Sequence, residues 1–163
     1  MPDNSSLEYF QDTQTCVRAS TRTALLEDLC TRLTAAQQGD RDLDVAIGEA
    51  FDALPLCTYP LDKFGWMDAG GGVFIRQHPD GSGQTQQFIL PEWSSSVDAA
   101  LSALRHLPGD FTYTLTRNDD GSHSAVVGRR AGFVLSNTSW GGSAPTPALA
   151  MMIAIVRAMR EGA

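Results

Sequence analysis

The sequence predicts an α+β protein, in which helices cover a small, mainly antiparallel sheet. Three observations carry that expectation. Four segments place apolar residues at helical spacing between recognisable start and stop signals. The runs between them are short, alternate apolar with polar, and are joined by turns too tight for right-handed crossovers. The last helical segment, "PALAMMIAIVRAM", is apolar nearly all round, so it must be covered on more than one side.

Taken in order, residues 1–21 are polar and poorly periodic and read as an arm or a helical extension, and residues 22–163 read as one domain. In "TALLEDLCTRLTAAQQG", Leu26, Leu29, Cys30 and Leu33 share one face, and Gly39 is the expected stop. "DRDLDVAIGEAFDALP" follows at once. Asp40 is its expected N-cap, Leu43, Ala46, Ile47, Ala50, Phe51 and Leu54 form its stripe, and Pro55 ends it. Residues 55–62 are a proline-bounded connector. "KFGWMDA", "GVFIRQH" and "QTQQFIL" are β-type runs separated by a glycine run and by "HPDGSG". A third helix is expected in "PEWSSSVDAALSALRHLPG", capped by Ser95 with Asp98 at capping-box spacing and ended by Pro108-Gly109.

"FTYTLTR" sets Phe111, Tyr113 and Leu115 against three threonines, the pattern of a half-buried strand. Asp120-Gly121 signals a hairpin turn into "HSAVVG". Arg129, Arg130 and Gly132 read as a second tight connection, into "FVLS". In "SNTSWGGSAPTPALAMMIAIV", Thr146 caps a buried helix with Pro147 at its first position, and Trp140-Gly141-Gly142-Ser143 reads as a loop before it.

Composition narrows the function classes. The 163 residues carry 12 Lys and Arg against 19 Asp and Glu, a net charge of −7, which argues against a phosphate-backbone binder, since that needs a clustered basic face. Lys63 is the sole lysine, so positive charge is arginine, suited to point recognition by guanidinium forks. The N-terminus lacks the basic and apolar stretches of a signal peptide, and Ala148–Met159 is too short to span a bilayer. Cys16, Cys30 and Cys57 match neither a metal ladder nor a disulfide framework. These features point to the cytoplasm, with no membrane partner.

Catalytic chemistry is not indicated. His78, His106 and His123 have no paired metal-ligand spacing, and "RNDDGSH" lacks the alternating acidic ligands and distal glutamate of a calcium loop. "PDGSGQ" has neither the spacing nor the context of a nucleophile elbow, and no Walker lysine follows "DAGGG". No cofactor is called for. Two features remain, each with two readings. Arg129 and Arg130 between strands, with Arg76 and Arg117 also on β-runs, are either solvated turn and edge arginines or a clamp for phosphate or carboxylate. Trp140 either fills the core while the glycines turn the chain, or offers a stacking plane beside Gly141 and Ser143 for a nucleobase or sugar.

Three stretches together carry a resemblance covering roughly residues 22–160. "LLEDLCTRLTAAQQGDRDLDVAIGEAF", "PEWSSSVDAALSALRHLPGDFTYTLTR" and "SAPTPALAMMIAIVRAM" resemble, in order, the opening, central and closing segments of the phage ABA sandwich domain family. The resemblance implies a helix–sheet–helix sandwich of phage or prophage origin and brings no catalytic residues. The function it implies, taken with the arginine and tryptophan stretches, is non-catalytic binding: counter-defence sequestration of a host nucleotide-type immune signal by a small homo-oligomer. The alternatives are an acidic inhibitor docking on a host defence protein and a virion or assembly component.

Overall fold

The computed structural model describes residues 22–51, 67–68, 73–77, 84–131 and 134–162. Element order is α1 (residues 22–35), α2 (Arg41–Ala50), β1 (Met67–Asp68), β2 (Val73–Gln77), β3 (Thr85–Ile89), α3 (Val97–Ser102), a 3₁₀ turn (Ala103–His106), β4 (Asp110–Arg117), β5 (His123–Ala131), β6 (Val134–Ala144) and α4 (Pro147–Arg160). The expected N-terminal arm and the connector of residues 55–62 lie outside the described residues.

The strands form two antiparallel meanders, β1-β2-β3 and β4-β5-β6. On the second, helices pack to give an α+β sandwich, with α4 against β5 and β6 and α3 against α4. One buried cluster joins Leu26, Leu29 and Leu33 of α1, Leu43 and Ile47 of α2, Val127 and Trp140 of the sheet, and α4 from Leu149 to Val156. A buried Ile, Leu or Met side chain contributes about 1.5–3 kcal/mol relative to exposure, so the continuous burial of α4 makes it the axis of the core. Among the described residues no helix is long and apolar enough to cross a membrane.

The capping residues follow local chemistry. Asp40 Oδ1 accepts the Leu43 N–H at 2.8 Å, and Thr146 Oγ1 accepts the Leu149 N–H at 3.3 Å with Pro147 at the first helical position. The α3 cap is Ser96, one residue beyond the expected Ser95: its hydroxyl accepts the Ala99 N–H at 3.3 Å. The helix also ends short of the expected Pro108-Gly109 stop, passing into the 3₁₀ turn at Ala103. Between β4 and β5, Gly121 takes φ +84° while its N–H donates to the Asn118 carbonyl at 3.0 Å, so the Asp-Gly turn forms where the sequence places it.

One glycine acts differently from the expectation. α1 stops at residue 35, and Gly39 is not a left-handed cap. A Cβ there would lie 2.2 Å from the Ser94 carbonyl oxygen, so the residue allows the α1–α2 turn to touch the 92–95 turn. That contact is fixed by polar groups the apolar pattern hides. Asp44 is fully buried on α2; it accepts Arg41 Nη1 at 3.1 Å and the Ser94 N–H at 2.8 Å. Arg41 Nη2 donates to the Leu90 carbonyl at 2.9 Å, and the Ser94 hydroxyl to the Asp40 carbonyl at 3.0 Å. A buried carboxylate needs such partners to offset its desolvation.

Candidate functional site

Residues 139–144 are strand, not loop: they belong to β6, which pairs with β5 from His123↔Ala144 to Gly128↔Ser139. Alternation then sorts them. Trp140, Gly142 and Ala144 face α4 and are buried, while Ser139, Gly141 and Ser143 are exposed. Gly142 is a packing glycine; its absent Cβ would lie 2.2 Å from the Ala150 carbonyl oxygen and 2.8 Å from the Ala154 nitrogen. Trp140 is 5% exposed, its ring 6.3 Å from that of Phe111, and its Nε1–H donates to Glu161 Oε2 at 2.7 Å. Its indole is therefore a core plug with its polar end capped, and its faces are not presented as a stacking plane.

The arginine pair also falls differently. Arg129 and Arg130 lie inside β5, not in a turn, and both are exposed. Regular pairing with β4, Phe111↔Arg129 and Asp110↔Arg130, puts their Cβ atoms on opposite faces of the sheet, Arg129 on the side of Val127 and Trp140. Two arginines adjacent in a strand do not converge as a fork on one ligand. Arg76 lies in β2 opposite Gln86, and its side chain is outside the described residues.

Part of the predicted stretch nevertheless meets at one place. A depression of ≈ 430 Å³ at the β6 edge is lined by Ser124, Val126, Ser139, Trp140, Gly141, Ser143, Arg157 and Glu161, among others. Arg157 Nη1 donates to the Gly141 carbonyl, and Glu161 Oε1 takes Arg160 Nη2 at 3.4 Å while Oε2 holds Trp140. A guanidinium has five N–H donors, so its bond to Gly141 leaves capacity for an anion, and the glutamate oxygens retain lone pairs for hydroxyl donors. The volume lies within the roughly 300–1,000 Å³ of small-molecule sites. Arg157 and Glu161 were missed in the sequence. Arg157 had a signal, being the one charged residue between Pro147 and Met159. Glu161 had none, lying past the apolar run.

The larger hollow, ≈ 630 Å³ between α1 and the end of α4, is less suited to a ligand. Its Thr31 and Thr34 hydroxyls donate to the Glu27 and Cys30 carbonyls of their own helix, at 3.0 and 2.7 Å. Among the described residues no three His, Cys, Asp or Glu side chains converge as a metal site. His123 Nδ1 lies 3.2 Å from the Pro145 carbonyl oxygen, burial lowers the pKa of His106, and His78 is outside the described residues. No family model, curated protein or solved structure matches the chain.

Proposed function

We propose that the chain is a phage or prophage accessory protein of the ABA sandwich type that binds without catalysis and sequesters a small nucleotide-type signal of host immunity. The observation that carries this reading is the β6-edge depression, where an arginine and a glutamate from the end of α4 flank the hydroxyls of Ser139 and Ser143. Arg157 suits a phosphate, and the Glu161 carboxylate suits the hydroxyls of a ribose. Trp140 supports the wall of the site from beneath, and recognition falls to Arg157 in place of Arg129 and Arg130.

Isothermal titration against cyclic nucleotides and ADP-ribose derivatives tests the proposal. Arg157→Ala removes a charge-assisted hydrogen bond of about 1.5–3 kcal/mol and is expected to weaken binding about tenfold or more. Unchanged affinity in a folded Arg157→Ala variant, or silence toward every nucleotide, refutes it. The net charge of −7 favours one second reading, docking on a basic host defence protein. That reading requires association that weakens steeply with added salt and no retained small molecule after heat release.

A further inference from the structure

The two edges of the β4-β5-β6 sheet are treated very differently. At the β6 edge Arg157 occupies the Gly141 carbonyl, and pairing with β5 is irregular between Gly128 and Arg130. Both are devices that discourage a further strand. β4 has neither. Its pairing with β5 is regular over all eight residues, and no described strand joins its other side. Between Asp110 and Arg117 it reads Phe-Thr-Tyr-Thr-Leu-Thr, five of the six strong strand formers, with no proline, glycine or charge. Tyr113, at this edge, is 47% exposed.

We infer that β4 is the interface with a second copy of this chain, pairing antiparallel with itself to give a continuous six-stranded sheet. The sequence of β4 is self-complementary for that arrangement. Antiparallel pairing about a two-fold axis normal to the sheet keeps faces matched only if residues of the same face oppose each other. With Thr114 opposite Thr114 of the second copy, Thr112 opposes Thr116, giving a threonine ladder on the face turned away from α4. On the α4 side Tyr113 opposes Leu115, which covers the exposed ring, and Phe111 opposes Arg117. Each Asp110 comes within one residue of Arg117 of the other copy. The hairpin tip, with Asp119 and Asp120, comes beside the Pro108-Gly109 end of β4 in the other copy, one strand removed from Arg129 and Arg130. The β6-edge depression, at the far side of each sheet, stays open in both copies, so one dimer carries two equivalent sites.

Sedimentation or light scattering across a concentration series reads the result. The full chain is expected to be a dimer, and the exposed Thr114 is the residue to change. Thr114→Glu and Thr114→Lys each place like charges across the axis and should weaken self-association at least about tenfold, with helical and strand signal unchanged. Mixing the two variants in equal amounts should restore the dimer, because opposite charges then face each other. On the unmodified protein, amide exchange of β4 should slow as concentration rises. Monomeric mass of the unmodified chain up to millimolar concentration, β4 exchange independent of concentration, or a dimer indifferent to a folded Thr114→Glu change overturns the inference.

Discussion

Gly142→Ala tests the packing of α4 on the sheet. The added methyl carbon would start 2.2 Å from the Ala150 carbonyl oxygen, 2.8 Å from the Ala154 nitrogen and 2.9 Å from Ile153 Cβ. Two of these neighbours are backbone of one helix, so rotamer adjustment cannot relieve the clash. Ordinary contact begins near 3.4 Å, so β6 and α4 must separate by more than an ångström at this point. Overpacking of a filled core costs about 1–3 kcal/mol, and separation adds loosened contacts along α4, which sets the expectation at about 3 kcal/mol or more. For a domain of this size that lowers Tm by roughly 6–12 °C. Gly141→Ala is the control: its Cβ would meet only the Ala125 carbonyl oxygen, at 3.9 Å, in ordinary contact. Urea denaturation followed by circular dichroism, with both variants beside the parent, decides it. If the midpoint of Gly142→Ala stays with that of Gly141→Ala, the close approach of strand and helix is wrong.

Three further outcomes are expected. Ser96→Ala should cost about 1 kcal/mol as a lost helix cap and Ser95→Ala much less, a difference that thermal melts can order. Asp44→Ala strands the Ser94 N–H and the Arg41 guanidinium, and should cost about 2–4 kcal/mol by chemical denaturation. Hydrogen bonds from the Ser122 hydroxyl and N–H hold the Asp120 carboxyl below its ordinary pKa of 3.8. A folded pKa below the unfolded one stabilises the folded state above the unfolded pKa, and that contribution is lost as pH falls through the folded value. Carbon-detected NMR titration should therefore show Asp120 titrating at higher pH in Ser122→Ala than in the parent; an unshifted curve contradicts the assigned bonds.

Asp40 and Thr146-Pro147 were legible because a cap is settled within one turn of chain. The α3 cap was misplaced because Ser94, Ser95 and Ser96 are interchangeable locally; Ser94 is taken by Asp44 and Asp40, groups 50 and 54 residues away in sequence. Gly39 shows the same limit, since a stop signal and a close tertiary contact both select glycine. The stretch from Ser139 to Ala144 carried its own answer, a period-two alternation of small exposed and buried residues, which the two glycines made look like a turn. Arg157 could be suspected as the lone charge in an apolar helix, but its partner, the Gly141 carbonyl, could not be found without the register of β6.

The meander β4-β5-β6 and the helix that follows it also bear on how the chain acquires its structure. Each of these elements rests largely on its neighbour in sequence, so residues 110–160 close only short loops as they assemble. The first helix reaches the same core from the other end of the chain: the contact of Arg22 with Met159 Sδ spans 137 residues. Such an arrangement lets the C-terminal part form early and the leading helices dock on it last, and in the finished protein those helices should be the first to detach. Native-state hydrogen exchange should find the amides of Met151–Val156 opening only with global unfolding, and those of residues 26–33 through a smaller, separate excursion.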